Sequence, residues 1–577
     1  MSKNALRSDR SAAAGGNTKP ADSLAAARAN DLQEAIAHHQ GGRLGEAEAG
    51  YRKLFEADPS SAPVVRLLGL AVMGRGDLAQ AIVLFEQAIR LTPTFVEAHL
   101  GLGNAHAAQG KLPEAEADYG RVLALDPKHL EALNNLGNCL QARRRFDEAE
   151  SVFRRAIAIN PKLAELHNNL GNALQAAKKP DEAIAAFREA IALKPDFPQA
   201  HSNLGNMLKA ENQLPEAVES YRRALALNPQ YIDALNNLAN ALHAQGLSSE
   251  AITTYRRSQE LQPAQGEAYF YESLVHLARG DLLEGFAEYE YRWISILRHA
   301  RRTFAQPIWL GESDLKGRTI LLHAEQGLGD TLQFVRYASL AAERGAIVLL
   351  EVQPALKSLL TGFPGVQSVF ARGDPLPAFD LHCPLLSLPH AFRTTLETIP
   401  LPGPSLYVSA DRVAHWQHRL PPGPLLRVGL MWTGNLHHVN DRNRSVSLEV
   451  LRPLFGQSGV EFYSLHKDYR SADERRLATS LGIVDLAEEI SDFENTAALI
   501  SRLDLVISVD TSMAHLAGAL GRPVWLLLPL CPDWRWLLQR PDSPWYPGMR
   551  LFRQERAGDW TQPIEAVGAA LAGLTKK

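Results

Sequence analysis

The sequence predicts a fold in two parts, an α-helical repeat solenoid followed by an α/β region built from two parallel-sheet halves. Prolines recur at a constant interval of 34 residues between Pro59 and Pro263. From Ile320 onward, short apolar segments typical of buried strands alternate with segments of helical pattern. A proline-rich stretch over residues 400–424 divides this alternation in two. The chain is therefore expected to carry one helical domain and two α/β halves with a cleft between them.

The composition is that of a globular protein, with 46% hydrophobic and 21% charged residues among 577. The formal net charge of −4 gives no bulk electrostatic argument for binding nucleic acid or an anionic membrane. Cys139, Cys383 and Cys531 match neither a disulfide framework nor a zinc site. No apolar run reaches the ~20 residues that span a bilayer, and residues 1–24 lack the apolar core of a signal peptide. We expect those residues to form a disordered tail and the protein to be cytoplasmic.

Residues 25–297 carry the repeat pattern. The proline position is filled by Pro59, Pro93, Pro127, Pro161, Pro195, Pro229 and Pro263, and alanine, aromatic and glycine positions keep the same step. This helix–turn–helix pattern resembles the tetratricopeptide repeat (TPR), with seven full repeats and a degenerate eighth. In the eighth, Gly285 replaces the alanine and Leu297 the proline. A terminal repeat that departs from the pattern is expected to dock on another part of the chain.

Two rows of asparagines lie on the first helix of successive repeats. One row is Asn135, Asn169, Asn203 and Asn237, and the other is Asn138, Asn172, Asn206 and Asn240. Asparagine is a mediocre helix former, so helix propensity does not explain the rows. Their amides could hydrogen-bond the backbone of a peptide acceptor, and the alternative is that they cap or bridge neighbouring repeats. These repeats resemble those of the protein O-GlcNAc transferases.

The first α/β half is predicted over residues 320–420, after a packed junction at residues 298–319. Its first strand, Ile320–Ala324, is followed by a glycine turn that ends at Asp330, which is expected to face the cleft. The two glycines before a helix also allow a dinucleotide-binding interpretation, with Glu351 as the ribose-binding acid. Leu332 stands where the third glycine of that motif would be, so only part of the motif is present.

The second half is predicted over residues 421–577 and begins with a polar loop at residues 433–445. Arg442 and Arg444 in this loop could hold a diphosphate, since a guanidinium fork matches phosphate oxygens. The alternative is a solvated loop whose arginines pair with nearby acids. Lys467, at the end of a later strand, is a further candidate for the lining of the cleft.

The stretch from Leu503 to Pro529 predicts a strand, a short helix and a second strand. Asp510, Thr511 and Ser512 lie at the start of that helix, where free N–H groups favour an anion such as phosphate. His515 follows within about a turn and a half. The three polar groups and His515 indicate a binding site, and the alternative is a capped helix with a packed histidine.

Residues 320–570 resemble a two-Rossmann, GT-B-type glycosyltransferase similar to the heptosyltransferases of glycosyltransferase family 9. The resemblance implies that Asp330 of Gly329-Asp330 is the catalytic base and that Arg444 binds donor phosphates. It also implies that Asp510, Thr511 and His515 hold a nucleotide-sugar, with Ser512 in place of the family's glycine. The fold class is thus an α-helical TPR solenoid followed by an α/β GT-B fold with two Rossmann-like halves.

The expected function is a nucleotide-sugar-dependent, metal-independent, inverting glycosyltransferase whose solenoid recruits the acceptor, expected to be a protein. No cofactor is expected apart from the nucleotide-sugar substrate. The alternative is a repeat scaffold for protein–protein interaction whose α/β halves have lost catalysis, because a fold alone does not determine function.

Overall fold

The computed structural model describes residues 20–401, 406, 408–436 and 440–575, with side chains described from residue 27. The chain forms two compact units, Met1–Pro229 and Gln230–Lys577. Residues 1–19 of the predicted tail lie outside the described part, and a helix begins at Pro20, inside the 1–24 segment. No helix in the described ranges is both long and apolar enough to cross a bilayer.

The first unit consists of helix pairs with the predicted 34-residue step. Its helices are α1 Pro20–Gln40, α2 Leu44–Ala57, α3 Ala62–Gly74, α4 Leu78–Leu91, α5 Val96–Ala108, α6 Leu112–Leu125, α7 Leu130–Ala142, α8 Phe146–Ile159, α9 Ala164–Ala176, α10 Pro180–Leu193, α11 Pro198–Ala210 and α12 Leu214–Leu227. Each proline of the periodic series lies in the short connection between one pair and the next.

The repeating glycine and aromatic positions explain how the two helices of a pair approach each other. A Cβ atom on Gly137 would lie 2.5 Å from the ring of Phe153, and one on Gly171 would lie 2.5 Å from Phe187. Such distances are too short for a side chain, so glycine is required where the ring crosses the first helix. The aromatic residue fills the space between the helices.

The second unit begins with two more helix pairs, α13 Ile232–Ala244 with α14 Ser248–Leu261 and α15 Gly266–Arg279 with α16 Leu282–Tyr289, then a 3-10 turn at Glu290–Trp293. The α/β part follows. Its strands are β1 Thr319–His323, β2 Ile347–Val352, β3 Val366–Ala371, β4 Leu381–Pro384, β5 Leu426–Met431, β6 Val460–Ser464, β7 Leu505–Val509, β8 Val524–Leu528 and β9 Met549–Arg553. Its helices are α17 Leu328–Phe334, α18 Tyr337–Glu343, α19 Lys357–Leu360, α20 Leu388–Ala391, α21 Ala410–Arg419, α22 Asp441–Arg444, α23 Leu448–Leu451, α24 Ala472–Ser480, α25 Phe493–Ser501, α26 Ser512–Ala519 and α27 Thr561–Thr575.

The strands form two parallel sheets, which confirms the predicted α/β class. The first sheet has the order β3-β2-β1-β4 and the second has the order β6-β5-β7-β8-β9. All the named strands pair in parallel. Ligands of open parallel sheets bind beyond the carboxyl ends of the strands, so the residues that follow β1 and β7 are the ones to examine.

The degenerate last repeat shares a hydrophobic core with the α/β part. The ring of Phe286 in the shortened α16 lies 5.6 Å from Trp534 and 6.5 Å from Trp545, both in edge-to-face geometry. The backbone N–H of Leu538 donates to the carbonyl of Ala278 at 2.9 Å. The expected docking of the eighth repeat is therefore onto the α/β part within the same unit.

Arg292, in the turn after α16, fixes the start of the junction. Its guanidinium is fully buried, pairs with Glu290 at 2.7 Å and Glu325 at 3.1 Å, and donates to Ser387 Oγ at 2.6 Å. A buried cation with these partners resists displacement, because removing one partner would leave a charge uncompensated. Arg292 thus fixes the end of the last repeat against the α/β part, just before the predicted junction at residues 298–319.

Candidate functional site

The turn between β7 and α26 presents the first part of the site. Asp510 follows β7 directly, and Thr511 precedes α26 with extended backbone angles. The Thr511 hydroxyl lies 3.2 Å from Ser508 Oγ and caps no N–H of α26 in the structure as described. Thr511 thus leaves the first N–H groups of α26, including those near half-buried Ser512, for another hydrogen-bond acceptor such as a phosphate.

Arg444 lies against this turn. Its Nη1 donates to the Asp510 carbonyl at 3.0 Å, and its Nε is buried with no acceptor among the described atoms. A Cβ atom on Gly434 would lie 2.7 Å from Arg444 Nη2, so glycine at 434 makes room for the guanidinium. Burial and then repulsion from Asp533 raise the pKa of Asp510 to about 6.

His515 is buried in the second turn of α26 and connects the two α/β halves. A hydrogen bond of 2.9 Å joins its Nδ1 to the Tyr546 hydroxyl. Burial and then the positive charge of Arg535 hold the pKa of His515 well below its ordinary value, so the imidazole is neutral. A Cβ atom on Gly329 would lie 2.8 Å from His515 Cδ2, which means that glycine at 329 allows α17 to contact α26.

Asp330 is engaged through both carboxylate oxygens. Oδ2 accepts from the Gly327 N–H at 2.7 Å, and Oδ1 forms an ion pair with Arg535. Asp330 therefore stabilises the start of α17 from the third helical position rather than from the position before the helix. Arg535 is buried and also pairs with Asp533 at 2.8 Å. Arg535 therefore links Asp330 to Asp533, the carboxylate whose charge adds to the effect of burial in raising the pKa of Asp510.

These contacts make one contiguous cluster of Asp330, Arg444, Asp510 and His515, with Arg535 at its centre. The cluster lies where α17, after β1, meets α26, after β7. It combines two guanidinium groups, free helix N–H groups, a neutral imidazole and two carboxylates. Such a set can bind an anion and hold a proton acceptor beside it.

Two of the predicted residues lie apart from this cluster. Arg442 is exposed and lines a surface depression of about 640 Å³ together with Arg470 and Glu474. Lys467 is exposed and donates to the carbonyl of Ser491 at 2.7 Å. Glu351, the acid of the dinucleotide alternative, is buried and paired with Arg302, so it does not offer a free carboxylate to a ribose.

Sequence reasoning missed Arg535, Asp533 and Tyr546. The aromatic residues around Arg535 are packed in the core, since Trp534, Trp536 and Trp545 are all buried. The sequence signal that could have pointed to Arg535 is a charged residue between two tryptophans soon after β8, at the same sheet edge as Asp510.

The first row of asparagines bridges repeats. The Nδ2 groups of Asn135, Asn169 and Asn203 donate to side-chain oxygens of the preceding repeat at 2.9, 2.8 and 3.0 Å, the acceptors being Asn104, Asn134 and Asn168. For these three residues, the structure agrees with the alternative interpretation, in which the amides connect neighbouring repeats. Asn237 lies on α13 in the second unit.

One group of possible metal ligands lies in the last repeat. Ligand atoms of Glu272, His276 and Glu288 lie within 4.8 Å of one another. Arg256 donates to Glu272 at 2.9 Å, and Gln259 donates to its other oxygen. Glu272 is therefore satisfied by protein donors, and the cluster is best described as a buried charge network.

Comparison with family models gives matches in both parts of the chain. Residues 208–266 and 236–298 match the tetratricopeptide repeat model, and residues 2–235 match that of the cilia and flagella-associated protein 70 C-terminal domain. Residues 451–527 match the model of glycosyltransferase family 9 (heptosyltransferase). The matched segment contains Asp510, Thr511 and His515 but neither Asp330 nor Arg444.

A curated relative, Protein FlbA of Caulobacter vibrioides, is 28% identical over 331 residues, which are 52% of this chain and 54% of the relative. The chain thus spans about half the length of the curated relative it matches. Among solved structures, Pseudomonas aeruginosa pilF is 22% identical, with 37% of this chain and 98% of that chain covered and a TM-score of 0.34. TTC0263, a thermophilic TPR protein of Thermus thermophilus, is 26% identical, with 32% and 99% covered and a TM-score of 0.28. The protein contains TPR repeats followed by an α/β region that is similar in part to glycosyltransferase family 9.

Proposed function

We propose that this chain is a nucleotide-sugar-dependent, inverting glycosyltransferase whose TPR solenoid recruits a protein acceptor. The observation that carries the proposal is the cluster of Arg444, the α26 N-terminus and Asp330 at the carboxyl edges of two parallel sheets. The family 9 match over residues 451–527 supports the same reaction class. The solenoid supports acceptor recruitment, because helical repeats commonly offer extended binding surfaces.

In the proposed reaction the acceptor hydroxyl attacks the anomeric carbon while the bond to the nucleoside diphosphate breaks. Arg444 and the free N–H groups of α26 stabilise the negative charge that develops on the leaving diphosphate. Asp330 takes the proton of the attacking hydroxyl. Neutral His515, fixed by Tyr546 and packed on Gly329, orients the sugar as a hydrogen-bonding group without adding charge.

Calorimetry with a panel of nucleotide-sugars tests the donor site. Arg444→Ala should weaken binding about tenfold to a hundredfold, because a charge-assisted hydrogen bond contributes roughly 1.5–3 kcal/mol. Arg442→Ala provides the matched control, since Arg442 lies on the same short helix but lines a different depression. Equal affinities for the two variants would contradict the assignment of Arg444.

The inactive scaffold is the second candidate, and one observation favours it. Both oxygens of Asp330 already have partners, Gly327 and Arg535, so neither is free to receive an acceptor hydroxyl in this arrangement. A scaffold would bind an acceptor without turning over any nucleotide-sugar.

Asp330→Asn separates the two candidates. In an active transferase turnover should fall by roughly 10²–10⁴, because asparagine cannot accept the proton, while donor binding persists. Asp533→Asn removes the other partner of Arg535 and serves as the control, with a smaller loss expected. If the two substitutions lower transfer equally, Asp330 acts only by neutralising Arg535 and is not the base.

A further inference from the structure

The residues between the last helix pair and β1 cross the first sheet. Arg302 forms an ion pair with Glu351, near the carboxyl end of β2. Further along the chain, the Trp309 N–H donates to the carbonyl of His382 in β4 at 2.8 Å. Because β1 lies between β2 and β4 in the sheet, residues 301–309, the crossing segment, pass from one side of β1 to the other.

A cavity of about 320 Å³ lies between the crossing segment and the sheet. Arg301 and Phe304 line it from the segment, His323 and His382 from β1 and β4, and Trp293 from the turn after α16. The volume is about ten times the roughly 30 Å³ that a water molecule takes up in the liquid, so it suits an organic molecule of about ten to fifteen non-hydrogen atoms. The residues that line it are all different from those of the cluster at α17 and α26.

Two buried ring nitrogens in the cavity wall lack a protein partner. Trp293 and His323 are 8% and 3% exposed, and neither Trp293 Nε1 nor His323 Nδ1 has a hydrogen-bond partner in the part of the chain that the structure describes. The Trp293 N–H can only donate. A buried donor without an acceptor costs its desolvation energy, and a ligand oxygen in the cavity would recover it.

The two histidines form a hydrogen-bonded pair, with His323 Nε2 and His382 Nδ1 3.2 Å apart. Burial and then the charges of Arg302 and Arg301 lower the pKa of His382 to about 4, and burial above all holds the pKa of His323 well below its ordinary value. Both rings are therefore neutral, with one donor and one acceptor nitrogen each. Whichever ring donates to the other, the two outer nitrogens are one N–H and one acceptor, which together suit hydroxyl groups.

The charge available to a ligand comes from Arg301. Its guanidinium is exposed and has neither a hydrogen bond nor an ion pair among the described residues. Arg302, by contrast, is neutralised by Glu351 and lies 4.7 Å from the centre of the Phe304 ring. A guanidinium fork matches the oxygens of a phosphate or a carboxylate. The cavity thus combines an unpaired cation, an aromatic ring and groups that bind hydroxyls.

We propose that this cavity binds a hydroxylated organic anion, a sugar phosphate or a sugar acid, independently of the proposed transferase. Arg301 holds the oxyanion at the exposed side, where the charged group of the ligand keeps part of its hydration. The Trp293 N–H and the histidine pair bind hydroxyl groups of the same molecule. The ring of Phe304 packs against its carbon atoms.

Calorimetry of the full chain with three matched probes tests the proposal. Glucose 6-phosphate, glucuronate and glucose share one ring and differ at carbon 6, which carries a phosphate, a carboxylate or a neutral hydroxyl. We expect the anions to bind and glucose to bind at least about tenfold more weakly, because it lacks the charge-assisted hydrogen bonds to Arg301. The tighter of the two anions identifies the oxyanion. Glucose binding as tightly as the anions, or no binding of either anion, overturns the proposal.

Variants locate the bound anion. Arg301→Ala should weaken anion binding about tenfold or more, and Arg298→Ala is the matched control, since Arg298 is also exposed but lines a different depression. Trp293→Phe keeps an aromatic ring and should weaken binding severalfold. The N–H that it removes has no protein partner as described, so its loss should not by itself lower the Tm.

Equal affinities of Arg301→Ala and Arg298→Ala, or unchanged affinity in Trp293→Phe, overturn the cavity as the binding site. A loss of anion binding in Arg444→Ala rather than in Arg301→Ala would place the anion in the cluster at α17 and α26 and overturn it as well. Arg301→Ala should bind nucleotide-sugar as the wild-type chain does. Failure of the proposed transferase is therefore measured separately from failure of the cavity.

Discussion

The carboxyl group of Glu288, in the last repeat, has too few hydrogen-bond partners. Its Oε2 is buried and has no hydrogen-bond partner within the described structure. Burial and then repulsion from Glu272 raise its pKa from 4.5 to about 7. The folded state therefore favours the protonated form, and this contribution to stability is present below about pH 4.5 and lost as the pH rises through 7.

Glu288→Gln should for that reason raise the Tm at pH 8 and change it little at pH 5. Glutamine keeps the shape of the protonated acid and removes the buried charge. Thermal unfolding at the two pH values measures the effect, with Glu284→Gln as the control because Glu284 is an exposed carboxylate on the same helix. A Tm shift of the same size at both pH values would show that the charge of Glu288 is not the cause.

Residues that are neighbours in sequence were the predictable part of the candidate site. Asp510, Thr511 and His515 surround one strand-to-helix turn, so the local pattern alone brings them together. The ion pair of Asp330 with Arg535 joins positions 205 residues apart and depends on how two sheets pack. A single sequence contains no measure of that packing, and Arg535 between two tryptophans indicates only a buried segment.

At the scale of elements, the packing of an aromatic ring on the glycine of the first helix is the contact most sensitive to substitution. Gly137→Ala should destabilise the first unit by about 1–3 kcal/mol, because the new Cβ would meet Phe153 at 2.5 Å and force repacking. Gly120→Ala is the control, since that exposed position on α6 has nothing within 4 Å of a Cβ. Denaturant unfolding should give a gain of roughly 0.5–1 kcal/mol for the control. A neutral Gly137→Ala would mean that the ring moves freely.

The period of 34 residues predicted the helices of the solenoid, but two local features could not be predicted from it. The turn within each pair has a residue with positive φ, which is glycine at most repeats but Arg144, Lys178 and Asn212 in three consecutive ones. The first two residue types rarely adopt that conformation, so the sequence gives no warning of it. In the α/β part, the helical segment that follows the glycine turn divides into two short helices, α17 and α18. Arg336 Nε donates to the Gln333 carbonyl at 2.6 Å at the point of division.

At the scale of the whole molecule, the last two helix pairs belong with the α/β part. A chain of residues 230–577 should unfold in one cooperative transition, because α15 and α16 complete its hydrophobic core. A chain of residues 298–577 should melt at lower temperature and bind a hydrophobic dye, since Phe334, Trp534 and Trp545 would lose the cover of Phe286. Calorimetry of the two chains measures the difference, and equal melting temperatures would contradict the shared core.

The predicted boundary at residue 297 marks where the 34-residue pattern ends, whereas the compact units divide at residue 229. Periodicity reports the shape of each repeat and carries no information about which neighbour buries its outer face. Aromatic residues such as Phe286 and Tyr289 in the eighth repeat are the visible trace of that neighbour. The fold class could be predicted from the sequence, and the grouping of its parts could not.

The division at residue 229 also has a consequence for how such a protein can change over generations. Duplication or loss of one 34-residue segment before that point would add or remove a helix pair while the contacts around Phe286 stay as they are. The number of repeats can thus change without disturbing those contacts. The α/β part can be inherited unaltered, so the solenoid can change in length by unequal recombination without any change in the fold of the α/β part.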